Sequence, residues 1–385
     1  MGRSKKSPRI VLMIEPLGEY IQGLLRGIVK YSNTKGSWIL FREPGKHEGI
    51  LPPLDPSQAD GIIAKIPNTP KALSKLPKSV ATITIGYRKI ISGLPQILGD
   101  TTEIGKIAAD YFLARGFKNF AYCGFDEMHW SRERGESYRN TIEEGGFNVS
   151  FYKNIKKSMK QSWQIELQDI AKWLKSIAHP TAVLACNDER GQHIIHACKI
   201  AKLRIPEEIA ILGVDNDNFV CGLSTPPLSS IALSVEKAGY QAAELLDKMI
   251  RTKKRCEKSV IVRPTHVVTR QSTDILAIED EQLAEAINFI HKNCNSQISV
   301  EDVVDTLALS RRSIERKFRK HLSRSVNEEI RRIRVNNIIK MLLNTDLTIT
   351  QIGLALAYKD LTHIARYFKE ETSITPSQYR KTFSP

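Results

Sequence analysis

From residue 8 to about 270, short apolar runs rich in Val and Ile alternate with stretches whose apolar residues recur at helical spacing. A parallel sheet covered by helices requires that alternation, because parallel neighbours must be joined by long crossovers. Strands are predicted at Arg9–Ile14, Trp38–Phe41, Gly61–Ala64, Ala81–Ile85, Phe120–Cys123, Ala182–Ala185 and Ala210–Val214. Helices are predicted near 17–32, 101–115, 131–145, 163–177, 189–202 and 236–251. The expected class is α/β with doubly wound parallel sheets over residues 8–273. A linker at 274–282 then leads into an all-α domain at 283–385.

In that second part Ser299 stands as an N-cap before Val300, Val303, Val304 and Leu307, and Leu309-Ser310 marks a turn. A new helix starts at Arg311, with Ile314, Phe318 and Leu322 recurring every four residues and facing inward. Arg311, Arg312, Ser313, Arg316, Lys317, Arg319 and Lys320 remain for its other faces, a set suited to phosphates and guanine edges. A long helix over Asn327–Asn344 follows, with Ile330, Ile333, Ile338, Met341 and Leu342 as its apolar face, and Thr348-Ile349 opens a second pair. Its last member covers Asp360–Thr372: Leu361, Ile364, Ala365 and Phe368 turn inward, while Thr362, His363, Arg366, Tyr367 and Lys369 turn outward. Thr375-Pro376 is its stop. One amphipathic basic helix reads equally well as a solvated face; two such units on one connector argue for DNA.

Charge sharpens this picture. Across 385 residues, 57 Lys and Arg against 42 Asp and Glu leave a formal +15, which suits a polyanionic partner. Residues 310–334 hold ten of the basic residues and three acidic ones, whereas 279–385 as a whole has 17 and 14, so the excess sits on the first reading helix. Six cysteines without CxxC pairing fit a reducing compartment. Basic Arg3, Lys5 and Lys6 precede an apolar run, Ile10–Ile14, too short for a signal segment or a membrane span, so a soluble cytoplasmic chain is expected.

Residues 297–380 resemble the DNA-binding domain of the AraC/XylS family. The resemblance rests on the run from Leu309 to Phe318, on Arg366-Tyr367-Phe368-Lys369, and on Thr375-Pro376-Ser377-Gln378-Tyr379-Arg380. It implies two recognition helices in successive major-groove segments on one face of operator DNA. Ala357 and Ser373 stand where the family has turn glycines, so those turns need a residue tolerant of positive φ or another local geometry.

In a doubly wound fold, ligands bind where strands end. Three segments qualify: Glu15 to Tyr20; Phe125 to Arg134, with Asp126 and Trp130; and Asn187-Asp188 with Asp215-Asn216. Carboxylates, amides and an Arg around an indole suit a sugar, whose hydroxyls need donors and acceptors and whose C–H face stacks on a ring. The ordinary readings are that Asp215 caps the following turn, Arg134 holds a surface ion pair and Trp130 belongs to the core.

Residues 8–273 also resemble the sugar-sensing core of the LacI family. The matching pieces are Ala59-Asp60-Gly61-Ile62-Ile63, Asp100 to Gly124, Thr181 to Asp188, Ile205-Pro206-Glu207-Glu208, Gly213-Val214-Asp215, Pro226 to Ser230 with Gly239, and Val268 to Thr273. A LacI-like core followed by an AraC-like reader reverses the usual LacI order, in which the helix-turn-helix precedes the core. The resemblance implies a two-lobed sensor for a pentose, D-xylose first, in a homodimer that activates transcription through RNA polymerase. It makes Asp215 the hydroxyl acceptor, Arg134 a donor, Asn187 an amide contact and Trp130 the stacking face, with Glu15 and Tyr20 beside them.

An enzyme on this fold would need a nucleotide loop, a metal cluster or a nucleophile. No GxGxxG follows a strand and no GxSxG occurs. The glycines of Gly99–Lys106 are separated by five residues instead of four, and Ile107 stands where a phosphate loop has Ser or Thr. His193 and His196 lack a third ligand, so neither metal nor cofactor is expected. A ligand-responsive regulator is therefore favoured over a sugar-processing enzyme with a DNA anchor, or over a regulator of another small molecule.

Overall fold

The computed structural model describes residues 7–14, 18–42, 59–65, 76–86, 94–153, 163–254, 256–275, 277, 280–296, 298–307, 309–322, 324–358 and 361–383. Elements in the first lobe are β1 (Arg9–Met13), α1 (Gly18–Tyr31), β2 (Ile39–Arg42), β3 (Gly61–Ala64), β4 (Ala81–Ile85) and β5 (Gln96–Gly99). The second lobe continues with α2 (Thr101–Leu113), β6 (Asn119–Cys123), α3 (His129–Glu144), β7 (Val149–Phe151), α4 (Trp163–Ser176), β8 (Thr181–Ala185), α5 (Asp188–Ala201), β9 (Ile209–Asp215), α6 (Asn218–Leu223) and β10 (Ser229–Leu233). The chain then returns to the first lobe with α7 (Val235–Thr252) and β11 (Val260–Val262), and ends the α/β part in the second with β12 (Pro264–Val268).

Two six-stranded sheets result, ordered β2-β1-β3-β4-β5-β11 and β7-β6-β8-β9-β10-β12, and parallel throughout except that β12 runs against β10. Helices cover them because the strands are buried on both faces: Ile10, Ile62, Ile63, Ile83 and Ile97 in one sheet and Phe120, Leu184, Ile211 and Leu212 in the other are at most 2% exposed. In the first lobe α1 and α7 lie in backbone contact, since a Cβ on Gly27 or Gly239 would strike the main chain of Glu236 or Leu24.

The chain crosses between lobes beside residues 100, 234 and 263, and these segments hydrogen-bond to each other. The Asp100 N–H donates to Val262 O at 2.9 Å and the Ser234 N–H to Arg263 O at 2.8 Å, while the Ser234 hydroxyl accepts from the Arg263 N–H at 3.1 Å. Gly99–Lys106, the segment that superficially matched a phosphate loop, is one of these crossings, and Asp100 caps α2 there by accepting from the Glu103 N–H.

The C-terminal part contains α8 (Glu281–Asn293), α9 (Val300–Leu307), α10 (Arg311–Leu322), α11 (Val326–Asn344), α12 (Ile349–Ala355), α13 (Leu361–Thr372) and α14 (Pro376–Phe383). Thr375-Pro376, expected as a stop, instead opens α14. Thr375 takes the cap position by accepting from the Gln378 N–H at 3.2 Å, and proline suits the first helical turn, where no N–H is needed. Nor does α11 carry one apolar face. Val326, Ile330 and Ile333 serve a core with α8, α9 and α10, while Ile338, Ile339 and Leu342 serve a second core with α12, α13 and α14.

Ala357 and Ser373 both adopt positive φ, 51° and 64°, so the two turns keep the glycine geometry with side chains in place. Left-handed backbone costs an L-residue roughly 1–2 kcal/mol. Ala357→Gly is expected to stabilise the chain by about 1 kcal/mol, read as a higher urea midpoint at unchanged slope. An unchanged midpoint would show the turn to be unstrained.

Candidate ligand cleft and nucleic-acid interface

The cleft residues come from strand ends that the two sheets point at each other. Asp215 closes β9 with φ of 107°, and Asn216 follows at 52°, a strained pair for residues with side chains. Their surroundings enforce the turn. The Asn216 N–H donates to Ser230 Oγ at 3.0 Å, Arg270 reaches Asn216 Oδ1 at 2.8 Å, and the Asp217 N–H donates to buried Asp188 at 2.7 Å. The result aims a carboxylate that makes no hydrogen bond among the described residues. Burial, opposed by Arg134 and reinforced by Glu189 and Asp217, pushes its carboxyl up to about 7.

Arg134, on α3, is 5% exposed. Its Nη1 donates to the Cys186 carbonyl and its guanidinium lies 5.2 Å from the Trp130 ring centroid, yet its buried Nε has no acceptor. Tyr20 reaches in from α1: burial first and Asp215 second push its phenol upward, with Arg134 opposing. The structure thus brings Asp215, Arg134, Trp130 and Tyr20 together from both lobes. Glu15 lies outside the described residues. Asn187 has a second task, because its Oδ1 caps α5 by accepting from the Arg190 N–H at 3.0 Å.

Asp217 escaped the sequence reading. Its Oδ1 caps α6, accepting from the Phe219 and Val220 N–H groups at 3.0 and 3.1 Å, and its Oδ2 accepts from the Glu19 N–H of α1 at 2.9 Å, across the cleft. The role in turn capping suggested for Asp215 therefore belongs to Asp217. Arg190 was also missed: 2% exposed, it pairs with Glu166 at 2.8 Å and lies 4.0 Å over the Phe125 ring, fixing the wall behind Trp130. The run Asp215-Asn216-Asp217-Asn218 was the available signal, but nothing local says which carboxylate turns toward α1.

In the reading domain, α10 buries Ile314, Phe318 and Leu322 and exposes Arg311, Arg312, Arg316, Arg319 and Lys320, with Ser313 half-buried. Lys317 departs from the expectation. It is tied to Asp280, the N-cap of α8, whose carboxyl it holds below the usual range, so its ammonium secures the linker and not a phosphate. Arg311 pairs with Glu301 of α9, both exposed, a bond that solvent weakens. On α13, Arg366 and Lys369 are exposed, Arg366 pairing with Glu370 at 3.0 Å; the side chains of Thr362 and His363 lie outside the described residues. Tyr367, read as outward, instead donates its hydroxyl to the Arg331 carbonyl of α11 at 3.0 Å and packs on Tyr358, so it anchors the second reader.

Among the described residues no His, Cys, Asp and Glu group could hold a metal, and no helix is long and apolar enough to cross a membrane. His193, one of the lone pair, is lowered by burial and by Arg190.

Residues 109–273 match the family described as periplasmic binding protein-like domain, and residues 303–382 one described as helix-turn-helix domain. The xylose operon regulatory protein of Haemophilus influenzae is 28% identical over 96% of this chain and 94% of its own length; that of Escherichia coli K12 is 25% identical over 97% of each. Among solved structures, a xylose-binding transcription activator superposes with a TM-score of 0.62 at 24% identity, covering 99% of this chain and all of the other. A transcriptional regulator in complex with cellobiose covers 69% of this chain at a TM-score of 0.55 and 17% identity, and so shares the fold of the core. The chain is a helix-turn-helix transcription regulator built on a periplasmic-binding-protein-like core, similar from end to end to the xylose operon regulatory proteins.

Proposed function

We propose that this regulator senses D-xylose in the cleft between its lobes and, as a cytoplasmic homodimer acting through RNA polymerase, activates pentose-utilisation genes without turning its sugar over. One observation carries the sensor reading: an unpartnered Asp215 carboxylate faces the same cleft as Arg134, whose buried Nε lacks an acceptor. A buried donor without an acceptor is costly unless a ligand completes it, the half-buried Asp215 carboxylate beside it is free to accept, and vicinal hydroxyls complete both. Asp215 accepts a sugar hydroxyl, Arg134 donates to another, Trp130 offers the ring for the C–H face, and Tyr20 with the Asn187 amide nitrogen closes the site. Full-length similarity to two xylose operon regulatory proteins supports the choice of sugar. Domain bounds of 8–273, 274–282 and 283–385 fit this division of labour, although α8 already begins at Glu281.

Closure is the coupling step, since Asp217 already joins the second lobe to α1 of the first. A ligand that prefers the closed form shifts that population, and by linkage operator DNA tightens sugar binding by the factor that sugar tightens DNA. Calorimetric titration with D-xylose, L-arabinose, ribose and glucose, with and without operator, tests both parts. Saturable xylose binding, strengthened by operator, is expected. Binding to none of the four sugars would remove the sensor assignment while leaving the DNA reader untouched.

A further inference from the structure

A second cavity, of about 960 Å³, opens between the second lobe and the reading domain, and none of the cleft residues lines it. Arg115, just past α2, comes from the core; Arg332 and Lys340 come from α11, His291 from α8 and His266 from β12. Among the described residues Asp110 is the one carboxylate in the lining. Buried Glu329, nearby, is already shared by Arg324 at 3.0 Å and Arg332 at 2.6 Å. Among the described residues the Arg115 guanidinium meets the face of Tyr111, 3.6 Å from its centroid, and makes a 3.4 Å bond to that residue's carbonyl, with Glu329 and Asp274 acting on it from farther off. Lys340 makes no ion pair or hydrogen bond among the described residues.

These cations repel one another. Burial first, then Arg115, lowers the Lys340 ammonium; burial and Lys340 bring His266 down to about 4; burial with Arg115, Arg332 and Lys340 brings His291 down to about 4. Glu329 answers Arg324 and Arg332, which leaves half-buried Arg115 and exposed Lys340 in the lining with no ion pair among the described residues, and like charges gathered on one wall gain repulsion that a counter-charge relieves. The missing partner is an anion, and the walls define its class. Two or three fixed cations suit the three acceptor oxygens and the nearly double charge of a phosphoryl group. The volume lies within the ~300–1,000 Å³ of small-molecule sites and exceeds a bare phosphate, and Ile107, Phe117 and Val267 line it with apolar surface for an organic body.

We propose that this cavity is a second effector site, which takes a small phosphate monoester on Arg115, Arg332 and Lys340. Because Arg115 belongs to the core and the other two to the reader, an occupied site ties the two bodies together, beside the hydrogen bond from the Tyr379 hydroxyl to Thr265 O at 3.1 Å. The site is independent of the sugar assignment. Calorimetry on the full chain with ribose 5-phosphate, inorganic phosphate and succinate tests it, using the unaltered protein and the Lys340→Met, Arg115→Met and Asp215→Asn variants. The expected result is saturable ester binding, at least tenfold tighter than either other anion, retained in Asp215→Asn and weakened at least tenfold in Lys340→Met and in Arg115→Met. Lys340→Met removes a repelled cation, so it should melt no lower than the unaltered protein, and its loss of binding cannot be put down to misfolding. No saturable ester binding, or unaltered affinity in both Met variants, overturns the site. Loss in Asp215→Asn moves the ester to the sugar cleft, and equal binding of succinate or inorganic phosphate overturns the monoester class.

Discussion

Asp215→Asn is expected to weaken D-xylose binding about 100-fold, ~3 kcal/mol, because hydrogen bonds to a charged acceptor contribute about 1.5–3 kcal/mol each and the amide presents one donor face where the sugar also donates. Affinity should also depend on pH. Hydroxyls donate to the carboxylate form, so binding strengthens as pH rises through about 7 and then levels, with proton release on the acid side. Stability of the unliganded protein moves the opposite way. The folded carboxyl is raised to about 7, while the unfolded one titrates near ~4, so the native chain holds the extra proton between these values. Its contribution is complete below about pH 4 and is lost as pH rises through about 7. Melting temperatures of the unaltered protein and Asp215→Asn should therefore diverge in that window, with the variant the more stable at neutral pH. Sugar affinity that is flat from pH 5.5 to 8 in both proteins would sink the assignment of Asp215 as acceptor.

Arg316→Ala and Arg312→Ala are each expected to cost about 1–3 kcal/mol of operator binding, and to relax the base preference at one position if the guanidinium reads a guanine edge. Both side chains are exposed on α10 and make no ion pair among the described residues, so each is placed to enter a groove. Lys317→Ala supplies the contrast. Its partner is Asp280, so the loss should appear as lower stability and a loosened linker, with little change in the salt dependence of DNA binding. Fluorescence anisotropy over a set of single-base operator variants separates these outcomes. A uniform loss across all sequences for Arg312 and Arg316 would make them phosphate contacts. A steeper loss of DNA binding for Lys317→Ala than for either would reverse the assignment.

Much of the architecture was legible along the chain because its signals are local. The runs at Arg9–Met13, Gly61–Ala64 and Ala81–Ile85 are mainly apolar and rich in Ile, and the four-residue recurrence of Ile314, Phe318 and Leu322 marks the inner face of α10 unaided. The strands at Gln96–Gly99, Val149–Phe151, Ser229–Leu233, Val260–Val262 and Pro264–Val268 did not stand out. They lie at sheet edges or lobe crossings, where pairing with distant partners makes the strand and no periodicity of its own can announce it.

The site divides in the same way. Residue types after strands pointed to three segments, and the family resemblance chose Asp215, Arg134, Trp130 and Tyr20 within them. Which carboxylate of 215–217 is left without a partner and which bridges to α1 depended on Ser230, Asp188 and Arg270, up to 54 residues away. Tyr367 and Lys317 carry the same lesson: each sits at an outward helical position and is captured by a neighbour from another element. By itself, the sequence determined the order of the two domains, the class of each and the charge of the reading helix, because these follow from spacing and composition within one element. Only the tertiary structure decided the partners: the halves of α11 assigned to separate cores, the cross-cleft bond of Asp217 and the cationic cavity between core and reader arise where distant segments pack, and packing is a property of the pair.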